Sequence, residues 1–216
     1  MKPAAAWAGL SAGLLALGLY PVLIHTAVVS GAGTGPATVF ALVQAGVTGL
    51  ALARTAKRYR WMALIGVAGL AVTSWYSARD GLLAASGISH AMIYLGLLAL
   101  FGNSLAAGRE PLITAIARKV RGYLTPEMEI YTRRVTWAWC LFCGAQLAGS
   151  LVLLATATDE TWSFFVNVMD LPLLLTMFAV EYCWRLYLFW NYPHGSILDI
   201  VRVFMEEQQS GSRDAA

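Results

Sequence analysis

Charge is the first thing this chain lacks: only 12% of its 216 residues are charged, against 58% hydrophobic. That balance lies outside the range of soluble domains and excludes a self-contained aqueous enzyme. Cysteine is also scarce. Cys140, Cys143 and Cys183 cannot form a disulfide framework, and they fit a reducing compartment. Cys140-Leu-Phe-Cys143 has the spacing of a redox dithiol but sits in an apolar run without thioredoxin-type context, so it reads as packing. No internal repeat is visible, which argues against a two-halves transporter. No serine or cysteine nucleophile motif, zinc-protease motif or EF-hand occurs. The Gly31/Gly33/Gly35 cluster lacks the following Lys-Ser/Thr of a phosphate loop. No catalytic residue, metal set or cofactor is assigned on motif grounds.

Long apolar runs are what the sequence has instead. A helix needs about 20 apolar residues to cross a bilayer. Such runs occur near Trp7–Val29, Thr38–Ala53, Trp61–Tyr76, Ile88–Ala107, Val135–Ala157 and Trp162–Leu188, with Gly81–Gly87 either extending the fourth or lying in a loop. The expected fold is an all-α, polytopic membrane bundle of about six helices. Residues 1–190 form one transmembrane domain including a cytoplasmic segment, 108–134, and residues 191–216 form a cytoplasmic amphipathic helix and a disordered tail. The Met-Lys start followed by an apolar run mimics a secretory signal, but the run exceeds a signal h-region and is read as the first span.

Basic residues set the orientation, because positively charged loops stay cytoplasmic. With both termini inside, every one of the 15 lysines and arginines except Arg79 falls on the cytoplasmic side. The loop Arg54/Lys57/Arg58/Arg60 and the group Arg109, Arg118, Lys119, Arg121, Arg133 and Arg134 carry most of that asymmetry. The net charge of +3 is thus a topology signal and leaves no nucleic-acid footprint.

The segment Pro111–Leu124 sets Leu112, Ile113, Ile116, Val120 and Leu124 against Arg118, Lys119 and Arg121, the pattern of a helix lying on a membrane surface. Thr125-Pro126-Glu127 then reads as a helix start, with Thr as N-cap and Pro first in the helix, running unbroken into span five. Outer loops are expected at Ser30–Pro36, Ser77–Asp80 and Thr158–Thr161. Along span five, Trp139, Cys143, Gln146 and Ser150 form a seam at heptad spacing suited to helix contact.

The last span carries Asn167, Asp170, Glu181 and Arg185 within a sector of roughly 60° at helical periodicity. An ionisable group in hydrocarbon costs at least ~2.5 kcal/mol, so Asp170 marks a buried site. His25 and His90 count to a similar depth, so that His25, His90, Asn167 and Asp170 could share a polar intramembrane pocket. Such a group could bind metal or haem, handle a proton or substrate, or simply satisfy neighbouring helices. Pro172 should leave the Val168 carbonyl without its helical donor. Glu181 and Arg185, one turn apart, suit an ion pair or an anionic headgroup.

The stretch Leu98–Arg185 resembles a bacterial family of small integral membrane proteins, often encoded beside fatty-acid-like or aryl-polyene biosynthesis genes and called ketosynthase-associated. The residues carrying the resemblance are Phe101-Gly-Asn-Ser-Leu105, Gly108-Arg-Glu-Pro-Leu-Ile113 with Ala117-Arg118, Tyr131-Thr-Arg-Arg-Val-Thr136 with Trp139-Cys140-Leu-Phe142, and Glu181 followed by Arg185; Tyr20-Pro21-Val-Leu23 is similar too. The resemblance implies a setting in a lipid or acyl pathway. Three readings follow. The first is an accessory or scaffold subunit that binds membrane lipids, a membrane protein partner, a second copy of itself or a cytoplasmic acyl-pathway protein. The second is an enzyme or carrier acting on an acyl lipid around Asp170. The third is a redox subunit holding haem or metal through His25 and His90.

Overall fold

A computed structural model describes residues 19–30, 39, 43, 46, 68, 69, 72 and 76–190. The expected spans near Thr38–Ala53 and Trp61–Tyr76, the start of the first span, the Arg54–Arg60 loop and the surface helix at Ile197–Met205 lie mainly or wholly outside those residues. Within them the chain is helical. Helix α1 covers Leu19–Ser30, α2 Ala78–Ser104, α3 Leu112–Arg121, α4 Pro126–Thr156 and α5 Asp159–Ser163. A π-helical stretch, Phe164–Met169, then leads without a break into α6, Asp170–Leu188.

Three of these segments are long and apolar enough to cross a membrane: Arg79–Ser104, Pro126–Thr156 and Asp159–Leu188. Their outward faces support the same reading. Leu141, Leu151 and Trp137 are 71%, 67% and 54% exposed. Such a surface would drive association in water but costs nothing against lipid tails.

Helix ends follow local chemistry. Thr125 caps α4 as expected: its Oγ1 accepts the Met128 N–H at 3.4 Å and its carbonyl accepts that of Glu129 at 3.0 Å, with Pro126 in the first helical position, where no donor is needed. The helix does run unbroken into span five. At α3, Gly122 ends the helix with φ +83°, a left-handed conformation that glycine adopts without penalty, and its N–H bonds the Arg118 carbonyl at 2.8 Å.

Two loop expectations are corrected. The Ser77–Asp80 loop shrinks, because Arg79 and Asp80 already belong to α2, which also takes in the whole Gly81–Gly87 segment. Asp159–Thr161 are helical as well, because Thr158 adopts an extended conformation and its hydroxyl accepts the Thr161 N–H, capping α5.

The chain divides into two compact units, residues 1–93 with 147–175 and residues 94–146 with 176–216. In the first, Ile24, Val28 and Leu82 form the core, backed by Tyr20, Ala27 and Leu83. Gly87 allows α2 to approach Trp162, whose indole N–H donates to Ser150 Oγ at 3.1 Å. Arg79 pairs with Glu160 and, at 3.3 Å, with Asp159.

The second unit is organised by aromatic contacts around Trp139, which stacks on Phe101 at 5.6 Å and meets Phe178 edge-on at 4.7 Å. A buried hydroxyl pair, Thr114 and Thr132 at 2.7 Å, ties α3 to α4. Ser104 makes the turn between α2 and α3: its hydroxyl donates to the Phe101 carbonyl at 2.7 Å and accepts the Leu112 N–H at 2.9 Å. The heptad seam on α4 is buried along its length, with Trp139 5%, Cys143 0%, Gln146 4% and Ser150 9% exposed.

Candidate functional site

The four residues expected to form the intramembrane pocket all belong to the first unit, and the structure joins them as two polar pairs. His90, buried on α2, faces Asp170 with Nδ1 and Oδ1 3.4 Å apart, without an aligned hydrogen bond between those two atoms. His25 on α1 turns instead to Ser163, with Nδ1 3.2 Å from its Oγ. Asn167 completes that second pair by donating to the Ser163 carbonyl at 3.0 Å and to its hydroxyl at 3.2 Å. Neighbouring aromatics hold both imidazoles, His25 against Phe164 and His90 against Phe165.

The π-helical turn explains how one helix serves both histidines. Phe164–Met169 ends at Asp170, two residues before Pro172, so the helix widens where the proline lacks a donor. Such wide turns are frequent at functional sites. Ser163, fully buried at the start of the turn, is a site residue the sequence reading missed. In sequence it lay within the apolar run Trp162–Leu188 with no role attached, because hydrophobic periodicity carries no signature of a π-turn. Ser86, one turn before His90 on α2 and 3% exposed, adds a buried hydroxyl without a hydrogen-bond partner among the described residues. No group of three or more His, Cys, Asp or Glu side chains suited to a metal ion occurs among the described residues.

The second unit holds a different kind of site. A cavity of about 740 Å³ lies between the start of α4 and the end of α6. Its walls are Ile130, Val135, Ala138, Met177, Val180, Trp184, Leu188 and Phe189, and its polar groups are Thr125, Glu127, Tyr131, Arg134 and Glu181. The expected Glu181–Arg185 pair forms, with Arg185 Nε 3.6 Å from Glu181 Oε1. Tyr131 was read in sequence only as part of a resemblance. Its hydroxyl donates to the same carboxylate oxygen at 3.1 Å while its ring packs on Phe189. The Arg185 guanidinium also lies 5.4 Å from the Tyr182 ring centroid, while its buried Nε has no hydrogen-bond partner among the described residues.

The basic group read as a cytoplasmic docking surface divides in the same way. Arg118 bridges Glu110 at 2.8 Å and Glu129 at 2.6 Å. Hydrogen bonds to Glu110 and then to Glu129 raise its pKa above the ordinary arginine value. Arg109 donates to the Asn103 carbonyl at 3.4 Å, and Arg121 approaches Met128 Sδ at 3.8 Å. Lys119 is exposed and also engaged. Arg133 and Arg134 are exposed and make no ion pair among the described residues, and of the two only Arg134 lines the cavity.

Comparison with known proteins adds nothing to this geometry: no family model matches the chain, and no curated protein or solved structure matches it.

Proposed function

We propose that this protein is a multi-pass subunit of a bacterial cytoplasmic membrane, with six spans and both termini inside, that binds an acyl lipid on behalf of a larger lipid-handling assembly and performs no reaction itself. The observation that carries the reading is the cavity between α4 and α6. Its volume falls within the usual range for ligand pockets, about 300–1,000 Å³, and its mixture of apolar wall with a few polar groups is the usual composition of such sites. The acyl-pathway setting implied by the family resemblance points the same way. Mass spectrometry of the protein released intact from mild detergent should find one lipid per chain. Val180→Trp and Ala138→Phe, each of which narrows the cavity, should weaken that adduct while the protein remains monodisperse. A wild-type protein free of lipid, or an adduct undiminished by both substitutions, would reject the reading.

A second reading, an enzyme or carrier acting on an acyl lipid through the polar cluster, is favoured by one observation. Asp170 meets the buried His90 beside a π-helical turn. The discriminating variant is Asp170→Asn. Loss of lipid handling at an unchanged protein level would bring this reading forward, whereas a parallel fall in abundance and activity assigns Asp170 a structural role.

A further inference from the structure

The cavity's charges are arranged in an order that selects among lipids, and this inference rests on the lipid-binding reading above. Four charged groups lie in or beside the cavity, and two of them are already answered: Glu181 has Arg185 at 3.6 Å and the Tyr131 hydroxyl at 3.1 Å. Glu127 and Arg134 remain. Both are exposed, both line the cavity, and neither makes an ion pair among the described residues, although the Thr125 hydroxyl and the backbone N–H of Glu127 itself already bond the Glu127 carboxylate.

Their spacing matters. They are seven residues apart on α4, two helical turns and about 10 Å along the axis, on the same face. Glu127 lies in the first turn of the helix, next to the polar connection 122–125. Arg134 lies deeper, and beyond it the wall becomes apolar at Val135 and, from α6, at Val180 and Met177. Along α4, from the helix start inward, the cavity therefore presents an acid, Glu127, then a base, Arg134, and then hydrocarbon at Val135 and Ala138, while the second acid in the lining, Glu181 on α6, is paired with Arg185.

We propose that the occupant is a phospholipid whose headgroup carries a primary ammonium outside its phosphate, of the phosphoethanolamine type. That headgroup presents ammonium, phosphate and acyl chain in the same order. Arg134 would hold the phosphate through its planar fork of donors, a pairing in which arginine excels. Glu127 would accept hydrogen bonds from the ammonium. A glycerol headgroup offers Glu127 no cation, and a trimethylated choline offers it no N–H donor. Both should be retained less well. Trp184, exposed on α6 and lining the same cavity, suits the headgroup level of a bilayer. A free phosphate would satisfy Arg134 alone and leave the apolar wall unused.

The test is a competition measured on the intact full-length protein by mass spectrometry after exchange into mixed micelles. Equal amounts of phosphatidylethanolamine, phosphatidylglycerol and phosphatidylcholine with identical acyl chains are supplied. The wild type should retain the ethanolamine lipid about tenfold over each of the others. Glu127→Gln should erase that preference by lowering retention of the ethanolamine lipid to the level of the other two. Arg134→Gln should lower the retention of all three. Inorganic phosphate at millimolar concentration should displace none of them. Equal retention of the three lipids by the wild type, or a preference that survives Glu127→Gln, overturns the headgroup assignment while the lipid-binding reading stands. Failure to retain any lipid, with Val180→Trp indistinguishable from wild type, overturns both. Glu127 and Arg134 are exposed, so their substitution leaves the core intact, and a circular dichroism spectrum matching wild type verifies each variant.

Discussion

Gly87 has no room for a side chain. A Cβ built there would lie 3.0 Å from Trp162 Cη2 and 3.1 Å from Cζ2. Trp162 is 4% exposed and held by its bond to Ser150, so it cannot swing aside cheaply. Gly87→Val should therefore destabilise the protein by about 1–3 kcal/mol through overpacking. Gly144, also helical but with open space around it, is the natural control. Gly144→Ala should be neutral or slightly stabilising, because alanine is the better helix former by roughly 0.5–1 kcal/mol. Thermal unfolding in detergent would measure both, and equal midpoints for the two variants would show that the contact carries no energy. The sequence offered Gly87 only as a helix-or-loop ambiguity. A glycine's purpose in a helix depends on what approaches it, and Trp162 is 75 residues away in the chain.

Helix α3 is held at its start by a residue outside it. Pro111 precedes it and makes no side-chain cap, so the Leu112 N–H is satisfied by Ser104 at the end of α2. Ser104→Ala leaves that donor unanswered, at a cost of about 1 kcal/mol, comparable to loss of an N-cap. Hydrogen exchange should speed up several-fold in the first turn of α3 and stay unchanged in α4. Uniform acceleration in both helices would instead point to a global loss of stability. Elements of this kind were legible in proportion to how local their signals are. Thr125-Pro126-Glu127 announced α4 because a cap, a proline and an acid in the first turn act within four residues. The seam Trp139, Cys143, Gln146 and Ser150 was legible because burial repeats with the helix period. The π-helical turn was not, since only Pro172 hinted at a disturbed ladder, and nothing in a proline specifies whether a helix bends or widens.

At the scale of the whole chain, composition was the strongest signal. Twelve per cent charge and long apolar runs lead directly to membrane helices, and three of them are long and apolar enough in the described structure. The lopsided distribution of lysine and arginine predicts their direction. A single cysteine replacing Arg58, in a background with Cys140, Cys143 and Cys183 changed to serine, should be labelled by a membrane-impermeant maleimide only after the cells are opened. One replacing Asp80 should be labelled in intact cells. Labelling of position 58 in intact cells would refute six spans with both termini inside. The candidate sites were half legible. Asp170 and His90 were readable because charge in hydrocarbon is conspicuous wherever it occurs. The cavity was not, because it exists only where α4 lies against α6, and side-chain periodicity says which face is buried without saying against which helix.

The widened turn at Phe164–Met169 also has a consequence for how this sequence can change over generations. A π-turn is geometrically an α-helix into which one residue has been inserted, so every position after it is out of phase by about 100° with what an uninterrupted helix would give. Removing one residue from the turn would close it to a regular α-helix and leave Asp170 facing His90, with Glu181 and Arg185 on their present face. Removing one from the regular helix between Asp170 and Glu181 would instead carry the Glu181–Arg185 pair round by about 100°. For this span, tolerance to deletion is therefore a local quantity. The widened turn is where a lineage could lose a residue and still keep the same groups face to face.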